Sequence, residues 1–203
     1  MVVEIVYFAG PGRSELLKLI AHVANVDYKV VGITKDEWPT HKPHTRYGQM
    51  PYLKVNDKLT IYQTYAIARY LAQQGDLYPK DNIEATQTEE YVAAIDELFN
   101  KYARVFFIAP EETREQEKKV FLEGPVKTIL GALEKILEEN GDGHLIKGKF
   151  TWADFVLLDM VYALQFKEVD LSQFTHIIKS KEVLKAHPRF QDYVTQEHNY
   201  RKY

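Results

Sequence analysis

The apolar positions of this chain change their period part-way along it. Val2-Val3-Glu4-Ile5-Val6-Tyr7-Phe8 is almost continuously apolar, the pattern of a strand covered on both faces. Ala9-Gly10-Pro11-Gly12 breaks that run, and Leu16, Leu17, Ile20, Val23 and Ala24 then fall on one helical stripe. Tyr28-Lys29-Val30-Val31 predicts a second strand. Tyr52-Leu53-Lys54-Val55 and Leu59-Thr60-Ile61-Tyr62 are short, aromatic and β-branched, and the polar Asn56-Asp57-Lys58 between them suits a hairpin turn. Thr64 is a good N-cap for the helix-forming Ala66-Ile67-Ala68-Arg69-Tyr70-Leu71, and Gly75 is placed to cap its far end.

Strand, helix, strand, hairpin and helix in that order predict a thioredoxin-like α/β domain over residues 1–75. The turn-rich stretch 76–83, with Pro79, reads as a linker. Beyond it, residues 84–203 read as an all-α domain. Tyr91, Val92, Ile95, Leu98, Phe99 and Tyr102 keep helical spacing, with Asp96, Glu97, Lys101 and Arg104 off the stripe. Glu111 to Lys119 is so charged that it reads as a solvated connection and helix start. Val126, Ile129, Leu130, Leu133, Ile136 and Leu137 form an amphipathic face ended by Asn140-Gly141. Thr151 with Asp154 three residues on is a capping box, Asp standing in for the usual Glu. The helix it opens is apolar almost all round from Phe155 to Leu164, as expected of one running through the middle of a helical domain.

Composition narrows the function. At 203 residues the chain can bury a substantial core, and 45% hydrophobic against 27% charged residues is an ordinary globular balance. A formal net charge of −3 gives no reason to expect nucleic acid or an anionic membrane as partner. No apolar run reaches the length of a membrane span, and the start of the chain lacks a leader pattern, so a cytoplasmic location is expected. Cysteine is absent. Any thiol chemistry therefore uses a thiol that the substrate brings.

Two places carry candidate chemistry. Tyr47-Gly48-Gln49-Met50-Pro51 leads into the hairpin, and Gln63-Thr64 stands at the mouth of the following helix. A helix opening directly off a strand offers free N–H groups and a partial positive charge to a carboxylate or phosphate. Pro51 at a strand entry is a candidate for a cis peptide bond. Tyr7 ends the first strand, where open sheets place their ligands; an ordinary core tyrosine fits the same spacing. In the loop after the second strand, Trp38 and Lys42 either close the loop or meet a ligand. His41 and His44 there have no acidic or thiol companion, and no metal site is expected of them.

Gly48-Gln49-Met50-Pro51 followed by Gln63-Thr64-x-Ala66-Ile67-x-Arg69-Tyr70-Leu71 resembles the glutathione-binding half of the cytosolic glutathione transferases. The combination spans about a dozen positions, and the resemblance covers the chain to about Lys179. It implies a cis Pro51, a backbone pairing of Met50 with the cysteinyl part of glutathione, Gln49 and Pro51 among the glutathione-binding residues, and Gln63-Thr64 on the γ-glutamyl carboxylate. Thr64 stands where the family usually has serine, which keeps the hydroxyl. Family members of the tyrosine type carry the catalytic tyrosine at the place of Tyr7, with Arg13 as electrostatic helper. Trp38 and Lys42 match the loop on the glycyl end. Glu97, or Asp96 as second choice, matches the acidic residue sent across the interface to the γ-glutamyl ammonium. Tyr47 matches an aromatic key between protomers of a homodimer. Phe8, Arg104 and Phe107 match the pocket for small hydrophobic electrophiles, Phe107 standing where a tyrosine is frequent.

The hairpin, Leu77-Tyr78 and Glu97 to Tyr102 look like the pi class; Trp38-Pro39 and Thr151 to Phe155 look like the sigma class. The tail from His187 to Tyr203 departs from the usual Arg-Pro ending. The implied activity is conjugation of reduced glutathione, as co-substrate, to apolar electrophiles in detoxification. A glutathione-dependent isomerase, such as a prostaglandin synthase, and a weakly catalytic binding or lens-structural protein are rivals on the same fold. A redox enzyme of thioredoxin type is disfavoured by the absence of cysteine.

Overall fold

The computed structural model describes residues 2–10 and 12–195; the predicted break at Pro11 and the tail beyond residue 195 lie outside them. Within that span the chain forms two compact units, one of Pro79–Lys185 and the other of the residues up to Tyr78 together with those from Ala186.

In the first unit β1 (Val3–Phe8), α1 (Arg13–Val23) and β2 (Tyr28–Ile33) form a strand–helix–strand start to a small sheet, followed by a short helix α2 (Trp38–His41). β3 (Tyr52–Lys54), β4 (Thr60–Tyr62) and α3 (Thr64–Gln74) complete it. The sheet order is β2-β1-β3-β4, with β1 parallel to β2 and antiparallel to β3. β1 lies inside the sheet, which explains its almost continuous apolar run: Val3, Ile5 and Val6 are buried. The hairpin turns on Asn56, whose side-chain oxygen accepts from the N–H groups of Lys58 (2.8 Å) and Leu59 (2.9 Å). Gly75 caps α3 as expected, its N–H donating to the carbonyl of Ala72 at 3.3 Å. Its φ is −118°, and a Cβ there would fall 2.7 Å from the carbonyl oxygen of Ala24, so it is glycine because α3 and the end of α1 touch.

A last helix, α9 (Pro188–Thr195), packs on α1. His22 and Asp192 join them at 2.8 Å, as do Arg189 and Asn25 at 2.9 Å.

The second unit contains α4 (Asn82–Ala103), α5 (Glu111–Phe121), α6 (Lys127–Asn140), α7 (Trp152–Phe166) and α8 (Thr175–Lys185). Asp81 caps α4 by accepting from the N–H groups of Ile83 and Glu84, so that helix opens inside the stretch read as linker. The charged run Glu111–Lys119 is a helix rather than a connection, almost wholly exposed and carrying acids in its first turn and lysines in its last. Single wider π-type turns flank it, at Arg104–Ile108 and Leu122–Val126; in the second, Pro125 has no N–H to donate. α7 is buried at every position from Trp152 to Leu164, as its all-round apolar sequence predicts. Its capping box is present, with Asp154 wholly buried beneath Thr151.

Candidate functional site

The C-terminal end of β1 presents Tyr7 and Phe8, both half-buried. Tyr7 stands opposite Gly32 in the parallel ladder, and its ring packs edge-on to Phe8 at 5.6 Å. The position of its hydroxyl depends on Gly12, the residue before α1. A Cβ built on Gly12 would lie 2.8 Å from the ring and 2.9 Å from the hydroxyl oxygen, at a φ of +154° that L residues rarely adopt. In the sequence Gly12 reads only as part of the break after the first strand; a glycine at the mouth of the first helix is the available signal for this role. Arg13 follows as the first, half-buried residue of α1.

Trp38 opens α2 and packs edge-on against Phe8 with centroids 5.4 Å apart. Lys42 is exposed, and its aliphatic stem runs past Gly48, where a Cβ would meet its Cε at 3.3 Å. Gly48 has φ +62°, so the loop bearing Lys42 and the loop entering β3 approach closely at a residue suited to the left-handed region. His41 departs from a solvated loop histidine: it is stacked on Tyr52 at 5.9 Å with its Nε2 3.0 Å from the Tyr52 hydroxyl. His44 is exposed. Among the described residues no group of three or more His, Cys, Asp and Glu is arranged to hold a metal ion.

Gln49 is exposed, Met50 half-buried and Pro51 buried, and the Met50–Pro51 peptide bond is cis. Gln63 rather than Thr64 is the N-cap residue of α3, with φ +72° and ψ 125°. Such a conformation in a non-glycine residue costs on the order of 1–3 kcal/mol and persists where surrounding structure imposes it. Its side chain does not cap the helix; the amide Nε2 lies 3.4 Å from Gln49 Oε1. Thr64, expected as the cap, is buried as the first helical residue. With no side-chain cap and no acid in the first turn, the mouth of α3 keeps its N–H groups and partial positive charge uncompensated from its own turn. Tyr47, 55% exposed, stands beside this loop with its ring edge-on to Tyr62 at 5.7 Å.

In the second unit, Asp96 is half-buried and accepts from Asn100 at 3.2 Å, while the exposed Glu97 pairs with Lys101 at 2.8 Å one turn on. Arg104 pairs with Glu117 of α5, Nε to Oε2 at 3.2 Å, and lines a cleft of about 660 Å³ between α4 and α5 with Val105, Val120 and Phe121. Phe107, 65% exposed, instead meets Tyr102 at 5.8 Å and Lys167. The two acceptor candidates, both within the wide turn after α4, therefore have different neighbours.

The sheet order, the cis-proline loop and the following helical unit define a thioredoxin-like α/β domain joined to an all-α domain. This chain belongs to the glutathione S-transferase family. The family model for the glutathione S-transferase N-terminal domain matches residues 3–73, and that for the C-terminal domain residues 96–197. A glutathione S-transferase of Anopheles gambiae is 32% identical over 74% of this chain and 73% of its own. The class-mu 28 kDa isozyme of Schistosoma japonicum is 28% identical over 97% and 98%. Among solved structures, a nematode-specific glutathione transferase of Caenorhabditis elegans is 26% identical with a TM-score of 0.85, covering 96% of each chain. Prostaglandin synthase D of Nilaparvata lugens shares the fold at 22% identity, with a TM-score of 0.87 over 97% of this chain and 98% of its own.

Proposed function

We propose that this protein is a tyrosine-type glutathione transferase that joins the thiolate of reduced glutathione to apolar electrophiles, serving detoxification in the cytoplasm. The observation that carries this reading is the Tyr7 hydroxyl, set by Gly12 at the end of β1, in the same unit as the open helix mouth at Gln63-Thr64. Glutathione lies as an extended peptide, its cysteinyl backbone on Met50 beside Gln49 and Pro51. Its γ-glutamyl carboxylate takes the N–H groups and side chains at Gln63 and Thr64, and Trp38 and Lys42 hold the glycyl end. Tyr7 then donates a hydrogen bond to the sulfur and favours its charged form, with Arg13 adding positive potential. Phe8 in the first unit and Phe107 and Arg104 in the second are the acceptor contacts.

Gln63→Ala and Thr64→Ala test the first half of this reading. Each removes charge-assisted hydrogen bonds to a carboxylate, worth roughly 1.5–3 kcal/mol, so calorimetry should show glutathione binding weakened about tenfold or more. Retention of the parent on immobilised glutathione, followed by a panel of electrophiles, tests the second half. Unchanged dissociation constants in both variants remove this region from the site. An isomerase using the same thiolate would be retained but would turn over without consuming thiol.

The protein acts as a homodimer in this reading. An exposed tyrosine beside a ligand loop suits a key inserted into a partner, and Glu97, with Asp96 as second choice, serves the neighbour's glutathione ammonium. In the single chain Glu97 is held by Lys101, so the dimer must compete with an exposed pair that contributes little. Tyr47→Ala should raise the dimer dissociation constant and weaken glutathione binding together. Sedimentation of the parent as a fully active monomer at micromolar concentration would overturn this assignment.

A further inference from the structure

Phe106, Phe107 and Phe166 converge near the end of α7, and the ammonium of Lys167 lies over all three rings, 5.7, 4.9 and 5.2 Å from their centroids. The chain makes an uncommon turn to put it there. The N–H groups of Lys167 and Val169 both donate to the carbonyl of Leu164, at 3.0 and 3.1 Å, and Glu168 between them has φ +56°, where a helix end normally uses glycine. Phe107 and Phe166 are 65% and 53% exposed, and Ile108 beside them is 70% exposed. Apolar surface clustered in this way marks a binding face more than a random one. Lys167 itself is half-buried, and among the described residues its ammonium has neither a hydrogen bond nor an ion pair. It borders a cleft of about 270 Å³ that also holds Arg114 and Lys118, with Glu115 and Glu168 as the acidic groups. Three cations against two carboxylates leave that corner positive.

A cation partly out of water, lying over rings and paired with neither carboxylate of the cleft, lacks a bound counter-charge. A carboxylate supplies one, and an apolar body attached to it covers the exposed rings. We propose that this corner binds electrophiles that carry a carboxylate on an apolar body, Lys167 taking the carboxylate and Phe107 and Phe166 the body. The inference rests on the transferase reading, in which Phe107 is an acceptor contact, and names the acceptor class that site prefers. The carboxylate is a handle and does not react. With an α,β-unsaturated ketone the thiolate forms the new sulfur–carbon bond at the β-carbon, the carbon–carbon π bond breaks, and the α-carbon takes a proton from water.

Steady-state kinetics with ethacrynic acid and with its methyl ester test the proposal, since the ester adds one methyl and removes the charge. Lys167→Met keeps an apolar stem over the rings and should lower the acid-to-ester ratio of kcat/KM about tenfold, through KM for the acid; Lys167→Arg should restore most of it. An unchanged ratio in Lys167→Met overturns the proposal. Failure of the transferase reading looks different, as no acceptor would be consumed by the parent. Calorimetry with decanoate then decides the corner: binding lost in Lys167→Met and kept in Lys167→Arg supports it, and equal binding in all three proteins overturns it.

Discussion

Tyr7→Phe should give a folded protein that binds glutathione but conjugates it roughly tenfold or more slowly at pH 7, with the deficit disappearing at alkaline pH. An unassisted thiol titrates near ~8.5, so only a few per cent is thiolate at neutrality. A phenol donating to the sulfur favours the charged form, and each pKa unit of lowering corresponds to about 1.4 kcal/mol. Raising the pH ionises the thiol without help, and a thiolate of higher pKa is the stronger nucleophile once formed. The variant should therefore approach or pass the parent above about pH 9. The ultraviolet titration of bound glutathione gives the thiol pKa directly and should move upward in the variant. Gly12→Ala is the companion experiment. It keeps the phenol but places a methyl 2.9 Å from where its oxygen stands, so the ring must move and the same deficit should follow. If either variant conjugates as fast as the parent at neutral pH, the placed hydroxyl of Tyr7 is not the activator.

Asp154→Ala should destabilise the protein by roughly 3 kcal/mol, a large part of the 5–15 kcal/mol typical of a folded protein. The carboxylate is wholly buried and accepts three hydrogen bonds, from the N–H of Leu145 (2.8 Å) and the N–H (2.7 Å) and hydroxyl (3.0 Å) of Thr151. Complete burial pushes the carboxyl pKa up, against the pull of those donors. Truncation leaves two buried N–H groups without an acceptor, each costing on the order of 1–3 kcal/mol, and opens the first turn of the central helix. Urea unfolding followed by circular dichroism should show the midpoint at lower denaturant, with Asp154→Asn, which keeps one acceptor oxygen, in between. A midpoint equal to the parent's would remove the capping box from the stability of this unit.

Family and fold class were legible in the sequence because their signals are local. An almost continuously apolar strand, a stripe at helical spacing, an Asx turn at Asn56 and a Thr-x-x-Asp box each depend on residues a few positions apart, and backbone sterics and hydrogen bonding act at that range. The all-round apolar run from Phe155 to Leu164 told of burial for the same reason. The joint pattern of Gly48 to Pro51 and Gln63-Thr64 likewise carried the family resemblance, and the cis bond it implies at Pro51 is present.

Tertiary structure alone decided the rest, because it turns on distances between residues far apart in the chain. Gly75 is glycine on account of Ala24, and Gly12 on account of the Tyr7 ring, which no spacing records. Thr64 yielded the cap position to Gln63 because the turn from β4 forces Gln63 into a strained conformation one residue earlier. The charged run after residue 110 folded as a helix because its acids and lysines sit at the ends that favour them, although nothing apolar required it to. Arg104 and Phe107, three residues apart within a single wide turn, meet different neighbours. Lys167, an unremarked lysine after an apolar helix, gained three aromatic neighbours from a left-handed residue that follows it. Local sequence fixes the direction in which a chain sets out; which side chains finally meet is set by the packing of whole elements, where a single turn relocates a charge.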